Sequence, residues 1–131
     1  MKIIKQTLTF DASPREIYDM LMDSKKHSEF TNDKAVIGKK IGDKFSAFSG
    51  YAWGKNLKLI PGKRIVQTWT SSDLPEDYFT EVDFELNGNG NKTKLVFTQK
   101  NVPDKNYKEL VKGWKDFYWE PMREMIKKTK K

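Results

Sequence analysis

The hydrophobic and polar positions near the start of the chain predict a strand followed by two short helices. Residues 3–10 are β-rich, and Thr7 and Thr9 alternate with Leu8 and Phe10. Ser13-Pro14-Arg15-Glu16 then has the pattern of a capping box with proline at the first helical position, so we expect a helix of about nine residues. Lys25 to Phe30 could form another short helical turn.

The middle of the chain has the two-residue alternation and turn signals of antiparallel strands. The apolar segments are separated or interrupted by glycines 38, 42, 50 and 54 and by Pro61-Gly62. A strong hairpin signal follows at Asn87-Gly88-Asn89-Gly90-Asn91. Val82, Phe84 and Leu86 fall on one face of their strand, and acidic residues fall on the other. The predicted strand segments are 36–37, 44–48, 53–60, 64–69, 79–86 and 93–99.

The last part of the chain predicts one long amphipathic helix from about Asn106 to Lys128. Apolar residues recur there at three- and four-residue steps, and Pro121 removes one backbone donor, so we expect a kink nearby. Grouped strands with helices at both ends indicate an α+β fold. We predict a helix-grip fold: a curved antiparallel sheet of about six strands wrapped around the long C-terminal helix, with two short helices after the first strand.

The length of 131 residues fits one domain over residues 1–131, and the 37% hydrophobic content can fill its core. No apolar run is long enough to cross a membrane, and residues 1–5 are too short for a signal peptide. The absence of cysteine excludes disulfides and thiol chemistry and fits a reducing compartment. We therefore expect a cytoplasmic monomer that does not insert into membranes.

The net charge of +7 is unevenly distributed. Residues 71–91 contain six acidic and no basic residues, whereas the last nine residues contain five basic residues and one acidic residue. A basic chain can bind nucleic acid, but here the excess lies largely in a basic tail, residues 127–131, that we expect to fray. The aromatic residues also follow the buried periodicity, so we expect no nucleic-acid binding.

Candidate catalytic and metal-binding groups are few. Catalysis by His27 would need a positioned nucleophile and an orienting carboxylate, and its sequence neighbours cannot supply both, so we expect a surface or helix-end histidine. The segment 38–43 lacks the Gly-Lys-Ser/Thr ending of a phosphate loop. The carboxylates of residues 71–85 mostly point outward along a strand. We therefore predict no catalytic residue, no metal site and no cofactor.

The aromatic residues are the most informative group. Large rings on the inner face of a curved sheet and on its helix can form a solid core, or they can line a cavity for an apolar ligand. Gln67 shares a face with Ile65 and Trp69 and could orient such a ligand or be satisfied within the core. The residues predicted to line a cavity are Phe48, Trp53, Leu57, Ile65, Gln67, Trp69, Phe84, Phe97, Trp114, Phe117 and Tyr118.

Three segments carry a family resemblance. Residues 10–14, followed by Ile17, Tyr18 and Leu21, resemble the opening of START-like, helix-grip domains. Residues 50–59, 61–69 and 113–119 narrow the resemblance to homologues of the C-terminal domain of the heat-shock protein 90 ATPase activator. The resemblance covers about residues 6–126. It implies the helix-grip fold and a non-enzymatic role, either binding of a small hydrophobic ligand between sheet and helix or binding of a heat-shock protein 90-type chaperone.

The same resemblance includes one departure. The full activator has an N-terminal domain with an Asn- and Trp-rich motif that provides the main stimulation, and nothing in this chain corresponds to it. A co-chaperone role would therefore depend on surface contacts, with acidic residues 71–85 and the basic Lys55, Lys58, Lys63 and Arg64 steering the partner. A third alternative is an enzyme of the cyclase or hydrolase kind found on the same fold, which would need buried ionisable groups in the cavity.

Overall fold

The computed structural model describes residues 1–129, which form one antiparallel sheet and four α-helices. The strands are β1 Lys2–Phe10, β2 Val36–Ile37, β3 Lys44–Ala47, β4 Ala52–Ile60, β5 Arg64–Ser71, β6 Thr80–Asn89 and β7 Lys92–Val102. The helices are α1 Pro14–Met22, α2 Ser24–Thr31, α3 Tyr107–Trp114 and α4 Glu120–Thr129. A π-helical turn, Lys115–Trp119, joins α3 to α4, and single 3-10 turns occur at Phe48–Gly50 and Asp104–Asn106.

The sheet has seven strands in the order β1-β7-β6-β5-β4-β3-β2, and every neighbouring pair is antiparallel. The predicted α+β helix-grip fold is confirmed. The sheet has one strand more than the expected count of about six. Its seven strands correspond to residues 3–10 and to the six strand segments predicted between residues 36 and 99. Val36–Ile37 pairs with Phe45 and Ser46 at one edge, and β1 pairs with β7 at the other.

The first two helices begin where their capping residues predict. Ser13 Oγ accepts a hydrogen bond from Glu16 N at 3.1 Å, and Glu16 Oε1 accepts one from Ser13 N at 3.1 Å. This reciprocal pair satisfies two donors that the helix itself cannot pair. Asp23 ends α1 and caps α2 by accepting from Lys25 N and Lys26 N, so the two helices follow each other without a loop.

The C-terminal helical segment spans almost the predicted range, but its regular geometry is interrupted. Glu120 N–H donates to Lys115 O, five residues back, which defines the π turn immediately before Pro121. Pro121 has no N–H, so an α-helical bond to Phe117 O is impossible in any case. The basic residues Lys127 and Lys128, predicted to fray, belong to α4, whereas Lys130 and Lys131 lie outside the described residues.

The core lies between the inner face of the sheet and the C-terminal helical segment. Val82, Phe84 and Leu86 are buried as their alternation predicts. Phe97 packs on Trp114 with ring centroids 4.4 Å apart, and both rings are almost fully buried. None of the described helices is both long and apolar enough to cross a membrane.

Candidate functional site

A cleft of about 530 Å³ lies between the C-terminal helical segment and the end of the sheet where β4 begins and β5 ends. Its volume falls in the range of small-molecule sites. Its apolar lining comes from Phe48, Tyr51, Trp69, Leu74, Leu110, Gly113, Trp114, Phe117 and Tyr118. Its polar lining comes from Asp33, Ser71, Asp73, Asn106 and Glu109.

The aromatic wall of the cleft is built by α3, the π turn and β5. Trp114 and Tyr118 are four residues apart and pack together with ring centroids separated by 4.7 Å. Trp69 on β5 meets Trp114 at 5.6 Å from the other side. Phe117 is 58% exposed although it borders the cleft, so a large apolar surface is open to solvent at the mouth.

The turn between β3 and β4 places a further ring across the mouth. Phe48 has φ 54° and Ser49 φ 55°, which is the left-handed region that non-glycine residues rarely adopt. Each such residue costs about 1–3 kcal/mol, and such strain concentrates at functional sites. The conformation brings the Phe48 ring edge-on to Phe117 at 6.0 Å and to Tyr118 at 5.8 Å.

The polar lining of the cleft is acidic. Asp33, Asp73 and Glu109 are among its lining residues, whereas lysine and arginine are absent from the described lining. The Tyr51 hydroxyl donates to Asp73, and Ser49 Oγ donates to Asp33. The pKa of Tyr51 is raised mainly by burial and by the bond to Asp73, and the charge of Glu109 adds to this increase. At least two of the carboxylates therefore act on the same phenol.

One polar side chain in the cleft wall is incompletely paired. Asn106 is only 7% exposed, and its amide nitrogen donates to Asp73 O at 3.4 Å. Within residues 1–129, its Oδ1 is a buried oxygen without a hydrogen-bond partner. The Ser71 hydroxyl, also buried, forms a hydrogen bond with Tyr51 that lowers the pKa of this phenol. Because buried polar groups are nearly always paired, the Asn106 oxygen is an unusual feature of this wall.

Behind the cleft, the protein interior is nearly solid and holds a buried histidine. His27 is 5% exposed, which corrects the expectation of a surface or helix-end residue. Its Nδ1 lies 3.1 Å from Leu21 O and its Nε2 lies 3.0 Å from Tyr118 Oη. Since a carbonyl only accepts, Nδ1 carries the proton and the Tyr118 hydroxyl donates to Nε2. Burial lowers the pKa of His27 to about 4 and raises that of Tyr118.

A small internal cavity of about 20 Å³ lies beside this pair, large enough for about one water molecule. Gln67 borders it and donates to Asn56 Oδ1 at 3.0 Å. Asn56 in turn donates to Gly38 O at 2.7 Å and to Lys40 O at 3.0 Å. The Gln67 amide is thus bonded within the protein, one of the two possibilities that the sequence left open.

The structure separates the eleven predicted lining residues into four groups. The first group lines the cleft and consists of Phe48, Trp69, Trp114, Phe117 and Tyr118. The second group lines the internal cavity and consists of Ile65, Gln67 and Phe84. Trp69, Trp114 and Tyr118 border this cavity as well. Phe97 is fully buried beneath Trp114 and borders neither space.

Trp53 and Leu57, which make up the fourth group, lie on the outer face of β4, 40% and 39% exposed, and do not border the cleft. The inward positions of β4 are taken by Ala52, Gly54 and Asn56 instead. An inward side chain at position 54 would stand 1.9 Å from Thr68 O, so glycine is required there.

Several cleft residues were not foreseen from the sequence. They come from loops and from the beginning of α3, which lie far apart in the chain: Asp33, Tyr51, Asp73, Asn106 and Glu109. Alternation within a strand could not identify them, because the fold topology alone brings these loops together. Within the described residues, no group of three or more histidine, cysteine or carboxylate side chains is arranged to hold a metal ion.

Comparison with known proteins identifies the family. Residues 11–127 match the family model "Activator of Hsp90 ATPase homolog 1-like protein". The chain belongs to this activator-homologue family. The chain is 29% identical over 115 residues to the "Activator of 90 kDa heat shock protein ATPase homolog" of Dictyostelium discoideum, covering 87% of this chain and 30% of that protein. It is 22% identical to homolog 2 of Mus musculus, covering 94% of this chain and 37% of that protein.

Solved structures of activator homologues share the fold. A structure described as an HSP90 activator from Plasmodium falciparum superimposes with a TM-score of 0.89 at 22% identity, covering 96% of both chains. The solution structure of an Aha1 dimer from Colwellia psychrerythraea gives 0.80 at 23% identity, also covering 96% of both. The chain spans about a third of the length of the two curated activator homologues above, which matters for any function assigned to them as whole proteins.

Proposed function

We propose that this activator-homologue domain binds a small, largely apolar ligand in the cleft between its sheet and its C-terminal helical segment, without catalysing a reaction. The observation that carries the proposal is the cleft itself: about 530 Å³ of space walled by aromatic rings and open at one side. A solid core would have left no such space. Drug-sized ligands bury most of their surface in clefts of this size and character.

The ring arrangement at the mouth supports binding. Phe48 and Phe117 stand opposite each other, and Phe117 leaves more than half of its surface in water. Covering an exposed ring of this kind contributes about 1–2 kcal/mol through the removal of apolar surface from water. The left-handed backbone at Phe48 and Ser49 costs conformational energy, and such strain is typical of functional sites, which supports a role for the Phe48 ring.

The positions of the carboxylates and of His27 support binding without catalysis. Asp73 and Glu109 are exposed, and the buried Asp83 forms a two-bond pair with Arg64, at 3.1 Å and 2.6 Å, on the outer side of β6. His27 is hydrogen-bonded through both ring nitrogens behind the cleft. The described cleft therefore offers no buried acid–base pair aimed at a ligand.

The test is a titration with the neutral fluorophore N-phenyl-1-naphthylamine, whose emission rises in apolar surroundings. We expect saturable binding that is weakened about tenfold by Phe117→Ala, since a lost ring contact of about 1.4 kcal/mol changes the dissociation constant tenfold. The matched control is Trp53→Ala, which removes a larger exposed ring from the outer face of β4. Equal weakening by the two variants, or no saturable binding, would contradict the proposal.

Family membership favours a second candidate function. The names of the two curated relatives support a role as a co-chaperone that binds a heat-shock protein 90-type chaperone and stimulates its ATPase. Lys55 and Lys58 are exposed on β4 beside Trp53 and Leu57, a mixed basic and apolar surface suited to an acidic partner. We propose that the domain is cytoplasmic and acts as a monomer in either role.

The second function has its own experiment. ATPase turnover of a heat-shock protein 90-type chaperone is measured with and without the domain, at low and high salt. We expect stimulation that weakens as salt rises and is reduced by Lys55→Ala together with Lys58→Ala. Unchanged turnover at saturating domain would exclude this function for the described domain and leave the ligand proposal standing.

A further inference from the structure

The charge of the cleft is opposite to the charge of the protein. The chain carries a net charge of +7, yet the cleft is lined by three carboxylates and no described lysine or arginine. They belong to Asp33, Asp73 and Glu109, which come from three separate parts of the chain. An excess of charge of one sign in a partly enclosed site raises the local concentration of ligands that carry the opposite charge.

No described lysine or arginine lies within ion-pair distance of these three carboxylates. Among the ion pairs formed by residues 1–129, none involves Asp33, Asp73 or Glu109. Asp33 accepts hydrogen bonds from the Ser49 hydroxyl and from Lys34 N, and Asp73 accepts one from the Tyr51 hydroxyl. These uncharged donors orient the carboxylates without forming ion pairs with them. The rim therefore presents three carboxylates that form no ion pair within the described residues to a ligand entering the cleft.

A second, independent observation also calls for a hydrogen-bond donor. Asn106 is more than nine-tenths buried in the cleft wall, and its Oδ1, which can only accept, has no partner within the described chain. If the Asn106 amide turns toward the cleft, the N–H of a ligand can complete the bonding. A head group that only accepts would leave the oxygen unpaired and would also meet the carboxylates.

The aromatic walls suit the same chemistry. Tyr51, Phe48 and Phe117 line the cleft together with the acidic residues, and Phe48 contacts both of the other rings. Aromatic faces attract cations through their electron-rich centres and accept apolar groups equally well. Carboxylates next to aromatic rings thus favour a ligand that is both apolar and positively charged.

We propose that the cleft selects amphipathic cations, small molecules with an apolar body and one protonated amine. This inference rests on the proposed ligand-binding function and names its ligand class. The apolar body lies against Trp69 and Trp114, and the ammonium group stays at the rim between Asp73 and Glu109, where it remains partly hydrated. Full burial of the charge is not required, which avoids the large desolvation cost of an ion in an apolar interior.

The experiment compares three ligands with the same eight-carbon chain and different head groups: octylammonium, 1-octanol and octanoate. Dissociation constants are measured by isothermal titration calorimetry at pH 7 and low salt, and the indole signals of Trp69 and Trp114 report the site by NMR. We expect octylammonium to bind about tenfold more tightly than 1-octanol, with octanoate weakest, from one rim charge contact and one cation–aromatic contact.

Paired variants test the residues. In Asp73→Asn combined with Glu109→Gln, octylammonium should bind no more tightly than 1-octanol, while the affinity for 1-octanol stays as in the unmodified protein. Glu124→Gln, on α4 and outside the cleft, removes a carboxylate of similar exposure and should change neither affinity. Circular dichroism confirms that each variant is folded.

The outcomes separate the two proposals. If the three ligands bind equally well and the tryptophan signals shift, the cleft binds apolar ligands and the charge selection is refuted. If none of the three binds and N-phenyl-1-naphthylamine also fails to bind, the ligand-binding function itself is refuted. Tight octylammonium binding that survives the double variant would refute the assignment to Asp73 and Glu109.

Discussion

Acidification should destabilise this protein through its sole histidine, His27. The pH range of this effect is set by the pKa of His27 in the folded and in the unfolded state. Burial lowers the pKa of His27 to about 4 in the folded state, whereas an unfolded histidine titrates near its ordinary pKa of about 6.5. Between these two values the unfolded chain binds more protons than the folded protein. The free energy of unfolding therefore rises with pH through this window, and the His27 contribution is complete above about pH 6.5.

The size of the effect follows from the same two pKa values. A separation of about 2.5 pH units corresponds to about 3 kcal/mol if the pH is lowered below both values, and about 2 kcal/mol of this is lost by pH 5. The physical cause is that a protonated ring would sit in an apolar interior, with Nε2 changed from acceptor to donor against the Tyr118 hydroxyl. Tyr118 would then have to turn its own proton away.

Two measurements check this reasoning. NMR titration of the His27 ring gives its pKa directly, and urea unfolding at pH 7 and pH 5, followed by tryptophan fluorescence, gives the loss of stability. His27→Gln serves as the reference because carboxylates titrate alike in both proteins, so the difference isolates the histidine. A ring pKa near 6.5, or the same pH dependence in His27→Gln, would refute the assignment of a buried, neutral imidazole.

Three further substitutions test the packing that positions the site, each by urea unfolding. Asn56→Ala removes three hydrogen bonds, including the one from Gln67, and should cost about 3 kcal/mol; a loss below about 1 kcal/mol would contradict the network. Gly54→Ala places a methyl group against Thr68 O and should also cost about 3 kcal/mol, whereas a neutral result would show that β4 can shift outward. Ser13→Ala breaks the capping box and should cost about 1 kcal/mol, with Ser13→Thr retaining most of the stability.

The fold could be predicted from the sequence because its signals are local and agree with one another. The capping box before α1, the alternation of Val82, Phe84 and Leu86, and the apolar spacing of the last helix each act within a few residues. One topology satisfies all of them. Even the two-residue strand Val36–Ile37 was predicted, from the glycine that follows it, and it is held in place by pairing with β3.

The cleft could be predicted only in part. Trp69 and Trp114 lie where their spacing indicates, but the phase of β4 is not set by hydrophobicity. Phe48 lines the cleft from a 3-10 turn with a left-handed φ, not from the predicted strand 44–48, which ends at Ala47. Gly54 faces inward because no side chain fits there, and this turns Trp53 out to solvent.

The acidic rim and the buried histidine lay beyond local sequence patterns. Asp33, Asp73 and Glu109 meet only after the whole sheet has closed. His27 is buried by its contacts with Tyr118, ninety-one positions later in the chain, a pairing that no local pattern reveals.

The π turn has a consequence for the register of the C-terminal helical segment. Val111, Trp114 and Tyr118 follow one three–four spacing that leads into the turn. Trp119, Met122 and Ile126 follow a second spacing that leads out of the turn and is offset by one residue. The two spacings meet at Tyr118 and Trp119, which are adjacent in the chain and both buried. Tyr118 thereby reaches the cleft and His27 while Trp119 donates to Gln6 Oε1 on β1 at 2.8 Å. Deleting one residue from the turn would merge the two spacings and force one of these two rings out of the interior. The extra residue thus lets the same helical segment form the cleft wall and anchor the far edge of the sheet.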